Sequence, residues 1–163
     1  MSQLDPSKEL TNMPCKRFIA RPARSIYSAS KFAIEAVHES LSHELATFGI
    51  KVLIVEPGAF RTPFSSRILT PAAHEQTGGF SEEYKGTAVE KMVSGMKAVS
   101  SIPDFAKGDP DKAAKAIIDA VRDGHDYLRL PLGPDCVVAL EDKIGSLQSD
   151  LDKTRAVCMA TDF

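Results

Sequence analysis

The sequence has no apolar run of about 18 residues, the length a helix needs to cross a bilayer, so a membrane-spanning role is excluded. Its opening, Met1-Ser2-Gln3-Leu4-Asp5-Pro6, has none of the apolar character of a secretory signal, and a cytoplasmic protein is expected. Cysteine is scarce: Cys15, Cys136 and Cys158 are odd in number and widely spaced, with no C-x-x-C pair, which argues for reduced thiols rather than a disulfide framework. No H-x-x-x-H or H-E-x-x-H spacing occurs, and His38 and His43 are five apart, so no metal site is expected. A G-x-S-x-G nucleophile elbow is missing as well. Glycine-rich dinucleotide fingerprints, G-x-G-x-x-G or G-x-x-x-G-x-G, appear nowhere. A formal charge of −2 leaves no electrostatic footprint for nucleic acid or a membrane surface.

What is present fits one soluble α/β unit. The chain has 163 residues, 43% of them hydrophobic, which suits a single globular domain. Residues 1–25 are polar, broken by Pro6, Pro14 and Pro22, with a basic cluster at Lys16, Arg17, Arg21 and Arg24, and read as an irregular leader. The remainder, 26–163, reads as one unit. Ala33, Val37, Leu41 and Leu45 form an apolar stripe that predicts a helix over about 28–48, closed by Gly49. The run at 51–56 is β-branched and apolar, as in a strand buried on both faces, and Pro57-Gly58 ends it.

Residues 59–80 read as a loop. Ser81, followed by Glu82 and Glu83, predicts a helix over about 81–99. Asp109-Pro110 opens another that runs to Arg122 and stops at Gly124. A short strand at about 127–130 and a last helix at about 134–154 complete the pattern.

The chemistry resides in Tyr27-Ser28-Ala29-Ser30-Lys31. Residues four apart share a helix face, so a phenol and an ammonium point into one cleft. Tyrosine, with an ordinary pKa of about 10, becomes a usable proton donor and acceptor when a nearby cation favours its phenolate. The same pairing also occurs on solvated helix faces.

The order of motifs from about Ala20 to Thr62 closely resembles the short-chain dehydrogenase/reductase family. It comprises Tyr27-x-x-x-Lys31, Phe32-Ala33-Ile34-Glu35-Ala36-Val37, the strand Lys51–Glu56, and Pro57-Gly58-Ala59-Phe60-Arg61-Thr62. A looser match continues through Asp109–Ala114 and Leu128-Arg129-Leu130-Pro131-Leu132-Gly133. The resemblance implies a truncated Rossmann-like, doubly wound α/β fold, mostly helical, with one or two parallel strands remaining. It also implies NAD(P)-dependent interconversion of an alcohol and a carbonyl. Tyr27 would be the general acid/base, Lys31 its partner and a ligand of the nicotinamide ribose, and Pro57, Gly58 and Thr62 the turn that receives the nicotinamide end.

The 26 residues before Tyr27 cannot hold a nucleotide-binding half, which needs on the order of 100 at about 30 per βαβ unit. Pro14 stands where the family's catalytic Ser belongs, between Met13 and Cys15, and Asn12 does not answer to its catalytic Asn. Hydride transfer by the chain alone is therefore expected to be impaired. Two other functions remain open: a non-redox isomerase, dehydratase or cyclase that keeps the Tyr27/Lys31 pair, and a non-catalytic dimerising or regulatory remnant. In the family the long helix also packs against a second subunit, so a homo-oligomer through 28–48, or a partner covering the open strand edge, is expected. Phe60, Phe64, Ile68, Leu69, Phe80, Met92 and Met96 suggest an apolar, mid-sized alcohol or ketone, or equally a core.

Overall fold

Two positive-φ residues bracket the first helix. Ala23 (φ +60°) turns the chain into it, and Gly49 (φ +70°) turns the chain out. The intervening α1 spans Ser25–Ala46 in the computed structural model, which describes residues 19–64, 72–101 and 106–162. The helix thus begins three residues before the expected start, because the 21–24 turn (Arg24 N–H to Arg21 O, 3.3 Å) already directs the backbone into helical bonding. It ends two residues early, and the Gly49 and Ile50 amides reach back to Ala46 and Leu45 in the manner of a glycine-terminated helix. Most of the expected leader, including Pro14, Cys15, Lys16 and Arg17, lies outside the described residues.

Strand β1, Ile54–Pro57, pairs in parallel with β2, Arg129–Leu132, in the register Ile54 to Arg129 and Pro57 to Leu132. Parallel neighbours need a long crossover, and here it contains α2, Ala88–Ser101, and α3, Pro110–Asp123. α4, Pro134–Met159, leaves β2 through Gly133. This is the α/β, Rossmann-like arrangement of helices around parallel strands. Pro131 cannot donate to a further ladder, which suits β2 to a sheet edge.

Two expectations need correction. β1 is shorter than 51–56 and is not buried on both faces: Ile54 and Glu56 are buried while Val55 and Pro57 are half-covered. The alternation follows from the strand's period of two, with one neighbour strand among the described residues. The helix expected at 81–99 is instead a 3-10 turn, Glu82–Tyr84, followed by α2. Gly86 (φ +73°) separates them, and Thr87 and Glu90 set the real start. Thr87 Oγ1 accepts from Val89 N–H at 3.2 Å, and Glu90 Oε2 accepts from Gly86 N–H at 2.6 Å, a variant of the capping box. The apolar stripe of α1 is left largely uncovered. Val37 is 55% exposed and Leu41 and Leu45 are only half-buried, whereas Ser28 and Glu35 are buried.

α3 forms as its sequence dictates. Asp109 Oδ1 accepts from the Asp111 and Lys112 amides, Pro110 occupies the first turn, and Gly124 closes the helix in the left-handed region. The start of α4 locks the end of β1. Asp135 Oδ2 accepts from Ala59 N–H at 2.7 Å, and the thiol of buried Cys136 donates to Glu56 O at 3.0 Å. A Cβ on Gly58 would collide with the Asp135 carboxylate, which would have to move to admit a side chain. None of the described helices is long and apolar enough to cross a membrane.

Candidate functional site

Tyr27, Lys31, Glu35 and Glu39 follow one another at i+4 steps along α1, and such residues form a ridge on one side of a helix. The lower half of that ridge is pinned to the sheet. Arg129 of β2 donates from Nε to Glu35 Oε1 and from Nη2 to Glu39 Oε2, both at 2.7 Å, and its Nε stands 3.7 Å from Glu56 Oε1. Glu35 is 3% exposed and Glu56 fully buried. Burial works against the Arg129 charge, but the hydrogen bonds to Glu39 and Glu35 outweigh it and hold the pKa above the ordinary arginine value.

The pinned face carries the expected pair. Lys31 Nζ sits over the Tyr27 ring, 5.4 Å from its centroid, and both side chains are half-buried. Phenol and ammonium thus share one side of the helix in the attractive geometry of a cation on an aromatic face. Ser30 Oγ donates to Tyr27 O at 2.7 Å, back along its own helix.

At the other end of the ridge the charge is unbalanced. α1 has no acidic residue in its first turn and no side-chain cap. Among the described residues the Arg24 guanidinium donates only to Met96 Sδ of α2, at 3.3 Å, and thioether sulfur is a weak acceptor. Burial, followed by the charge of Arg21, pushes the Arg24 pKa down, partly offset by Tyr27. The Arg21 Nε is buried with no hydrogen-bond partner among the described residues. The corner therefore presents a phenol flanked by cations, an environment suited to stabilising negative charge as it develops on an oxygen.

Pro57, Gly58 and Thr62 lie on the next element in the chain. No hydrogen bond or ion pair joins them to Tyr27 or Lys31 among the described residues. The Gly58 N–H donates to Leu132 O at 2.8 Å and the Ala59 N–H to Asp135, so both turn amides are satisfied internally. Thr62 is exposed. Of the apolar residues expected around a substrate, Phe80 and Met96 are buried and Phe64 is exposed, while Ile68 and Leu69 fall outside the described residues.

For a nicotinamide riboside the described residues offer the Tyr27 hydroxyl and the Lys31 ammonium on one face of α1. For a pyrophosphate the described residues offer no glycine-rich turn, and the amides after β1 are already bonded. Arg24, Glu39, Arg129 and Asp135 were not legible as site-forming residues. Glu35 and Glu39 continue the i+4 steps of Tyr27 and Lys31 along α1, but their partner Arg129 lies far along the chain.

The short chain dehydrogenase family matches residues 16–72. An oxidoreductase of Botryotinia fuckeliana, BOA17, is 28% identical over 88% of this chain and 48% of its own length. Retinol dehydrogenase 7 of Rattus norvegicus is 33% identical over 67% of this chain and 35% of its own. A crystal structure of a short-chain dehydrogenase from Streptomyces avermitilis superimposes with a TM-score of 0.64 at 35% identity, covering 94% of this chain and 50% of that one. The chain spans about half the length of these relatives, or less.

Proposed function

We propose that this chain, which belongs to the short-chain dehydrogenase/reductase family, performs the proton-transfer share of an alcohol–carbonyl interconversion. Family members generally bind NAD(P), which supplies or accepts the hydride when bound. The observation that carries the reading is the Lys31 ammonium over the Tyr27 ring, on the helix face that Arg129 anchors to the sheet. The Tyr27 hydroxyl donates its proton to a carbonyl oxygen as that oxygen gains negative charge, and takes it back in the reverse direction. Lys31 is the electrostatic partner of the resulting phenolate and the ribose ligand, and Pro57, Gly58 and Thr62 border the nicotinamide end.

The experiment is Tyr27→Phe, which keeps the ring and removes the proton. With NADH or NADPH and a panel of ketones, turnover is expected to fall by at least about 100-fold, the lower range for losing a general acid. Equal rates in the two proteins would sink the proposal.

A second reading is favoured by the internally bonded Gly58 and Ala59 amides. In it, Tyr27 and Lys31 move protons without hydride transfer, as in an isomerase or dehydratase. Turnover that persists without any dinucleotide selects it. For assembly, we propose a homodimer through α1, because Ile34 and Val37 leave an apolar strip in water. Light scattering is expected to give twice the chain mass, and a monomer at 100 µM would refute it (a concentration of about this order detects even weak pairs).

A further inference from the structure

Among the described residues, the half-buried arginine next to Tyr27 has no counter-ion. Arg24 precedes Tyr27 by three residues, so the two are surface neighbours, about 5–6 Å apart at Cβ. Its planar fork has five N–H donors, and among the described residues only the Met96 sulfur, 3.3 Å away, takes one. Arg21 adds a second guanidinium, with a buried Nε that has no described partner. No described carboxylate forms an ion pair with Arg21, Arg24 or Lys31, although carboxylates pair with Arg129, Arg122, Arg155 and Arg61 elsewhere in the molecule. Two like charges partly withdrawn from water without a counter-ion are costly. The lowered pKa of Arg24 agrees with that cost. A carboxylate relieves it, since it accepts two parallel N–H bonds from one guanidinium.

We infer that Arg24, assisted by Arg21, binds a carboxylate on the substrate, so that the compound handled is a hydroxy- or oxo-carboxylic acid rather than a neutral alcohol or ketone. The inference rests on the proton-transfer role given to Tyr27. Arg24 and Tyr27 are neighbours on the surface of one helix, so a carboxylate held by the first lies close to an oxygen met by the second. Met96, which meets Arg24, is buried and gives the corner an apolar side.

The test is calorimetric titration of the full chain with 3-hydroxyhexanoate and with its methyl ester at low salt. The acid is expected to bind at least tenfold more tightly than the ester, and the gap should narrow as salt screens it. In Arg24→Gln the two affinities should converge to within twofold, whereas Arg24→Lys retains part of the preference. Arg21→Gln serves as a second reading should Arg24→Gln unfold by circular dichroism. Tyr27→Phe leaves the acid-to-ester ratio unchanged, so failure of the proton-transfer reading would appear in turnover and not in this ratio. Equal affinities, no binding of either probe at millimolar concentration, or displacement by an equal concentration of inorganic phosphate would each overturn the assignment.

Discussion

Arg129 and Arg24 lie at opposite ends of one helical ridge and are both half-buried, yet their surroundings are opposite. Arg129 meets Glu35, Glu39 and Glu56. Arg24 meets a thioether and a second arginine. The pKa of the first is raised by its carboxylate partners against burial, and that of the second is lowered by burial and by Arg21. The chain carries 22 Asp and Glu against 20 Lys and Arg, yet among the described residues carboxylates meet the structural arginine and not the one beside the phenol. The difference separates a charge that holds the fold from a charge that waits for a ligand.

Removing each arginine should therefore have effects of different size and sign. Arg129→Met strands the buried Glu35 and Glu56 carboxylates without their cation. Stability should fall by about 3 kcal/mol, the low end for breaking a buried pair because a third of the Arg129 side chain still meets water. Urea unfolding measures it, and adding Glu35→Gln should recover part of the loss. The folded pKa of Arg129 is raised, so its contribution is complete below the unfolded value and is lost only as pH climbs through the folded one. The deficit should thus stay constant from neutral pH to pH values well above 10. In contrast, Arg24→Met removes an unbalanced charge and adds apolar surface beside Met96. The expected change is between zero and about 1 kcal/mol of added stability, since apolar replacement of a poorly paired interior charge is neutral or favourable. A loss above about 2 kcal/mol would make Arg24 structural and erase the contrast.

The legibility of the sequence divides along the same line. Features that rest on local chemistry were readable: Asp109-Pro110 and Gly124 as the ends of α3, Gly49 as the exit from α1, and the Tyr27/Lys31 pairing on one face. The start of α2 was equally local but was misread. Ser81-Glu82-Glu83 has the composition of a helix start, while Thr87-Ala88-Val89-Glu90 has the capping-box spacing and wins because Gly86 releases the backbone between them. The burial of α1 was not readable from hydrophobicity, because its inward residues are Ser28 and Glu35 and the latter is tolerated only through Arg129, 94 positions away. Pairings at that range leave no local signature. The close approach at residue 58 was also hidden, since the Asp135 carboxylate that occupies the space of a side chain there arrives from α4.

A third ion pair shows that burial, and not contact distance, decides these effects. Lys85 Nζ lies 2.8 Å from Glu82 Oε2, nearly the separation of Arg129 from Glu35, but both partners are largely in water. The hydrogen bond to Glu82, then its charge, raises the Lys85 pKa. Whatever stability follows is present below the unfolded lysine value of about 10.4 and disappears as pH rises through the folded one. Exposed pairs lose most of their attraction to solvent and salt. Lys85→Met should therefore leave the unfolding midpoint unchanged within error at neutral pH, with or without 0.5 M salt (an ionic strength on the order of that which shortens screening well below 10 Å). If it instead matched Arg129→Met, short contact alone would govern the energy. The separation drawn between a fold-holding arginine and a ligand-seeking one would then lose its physical basis.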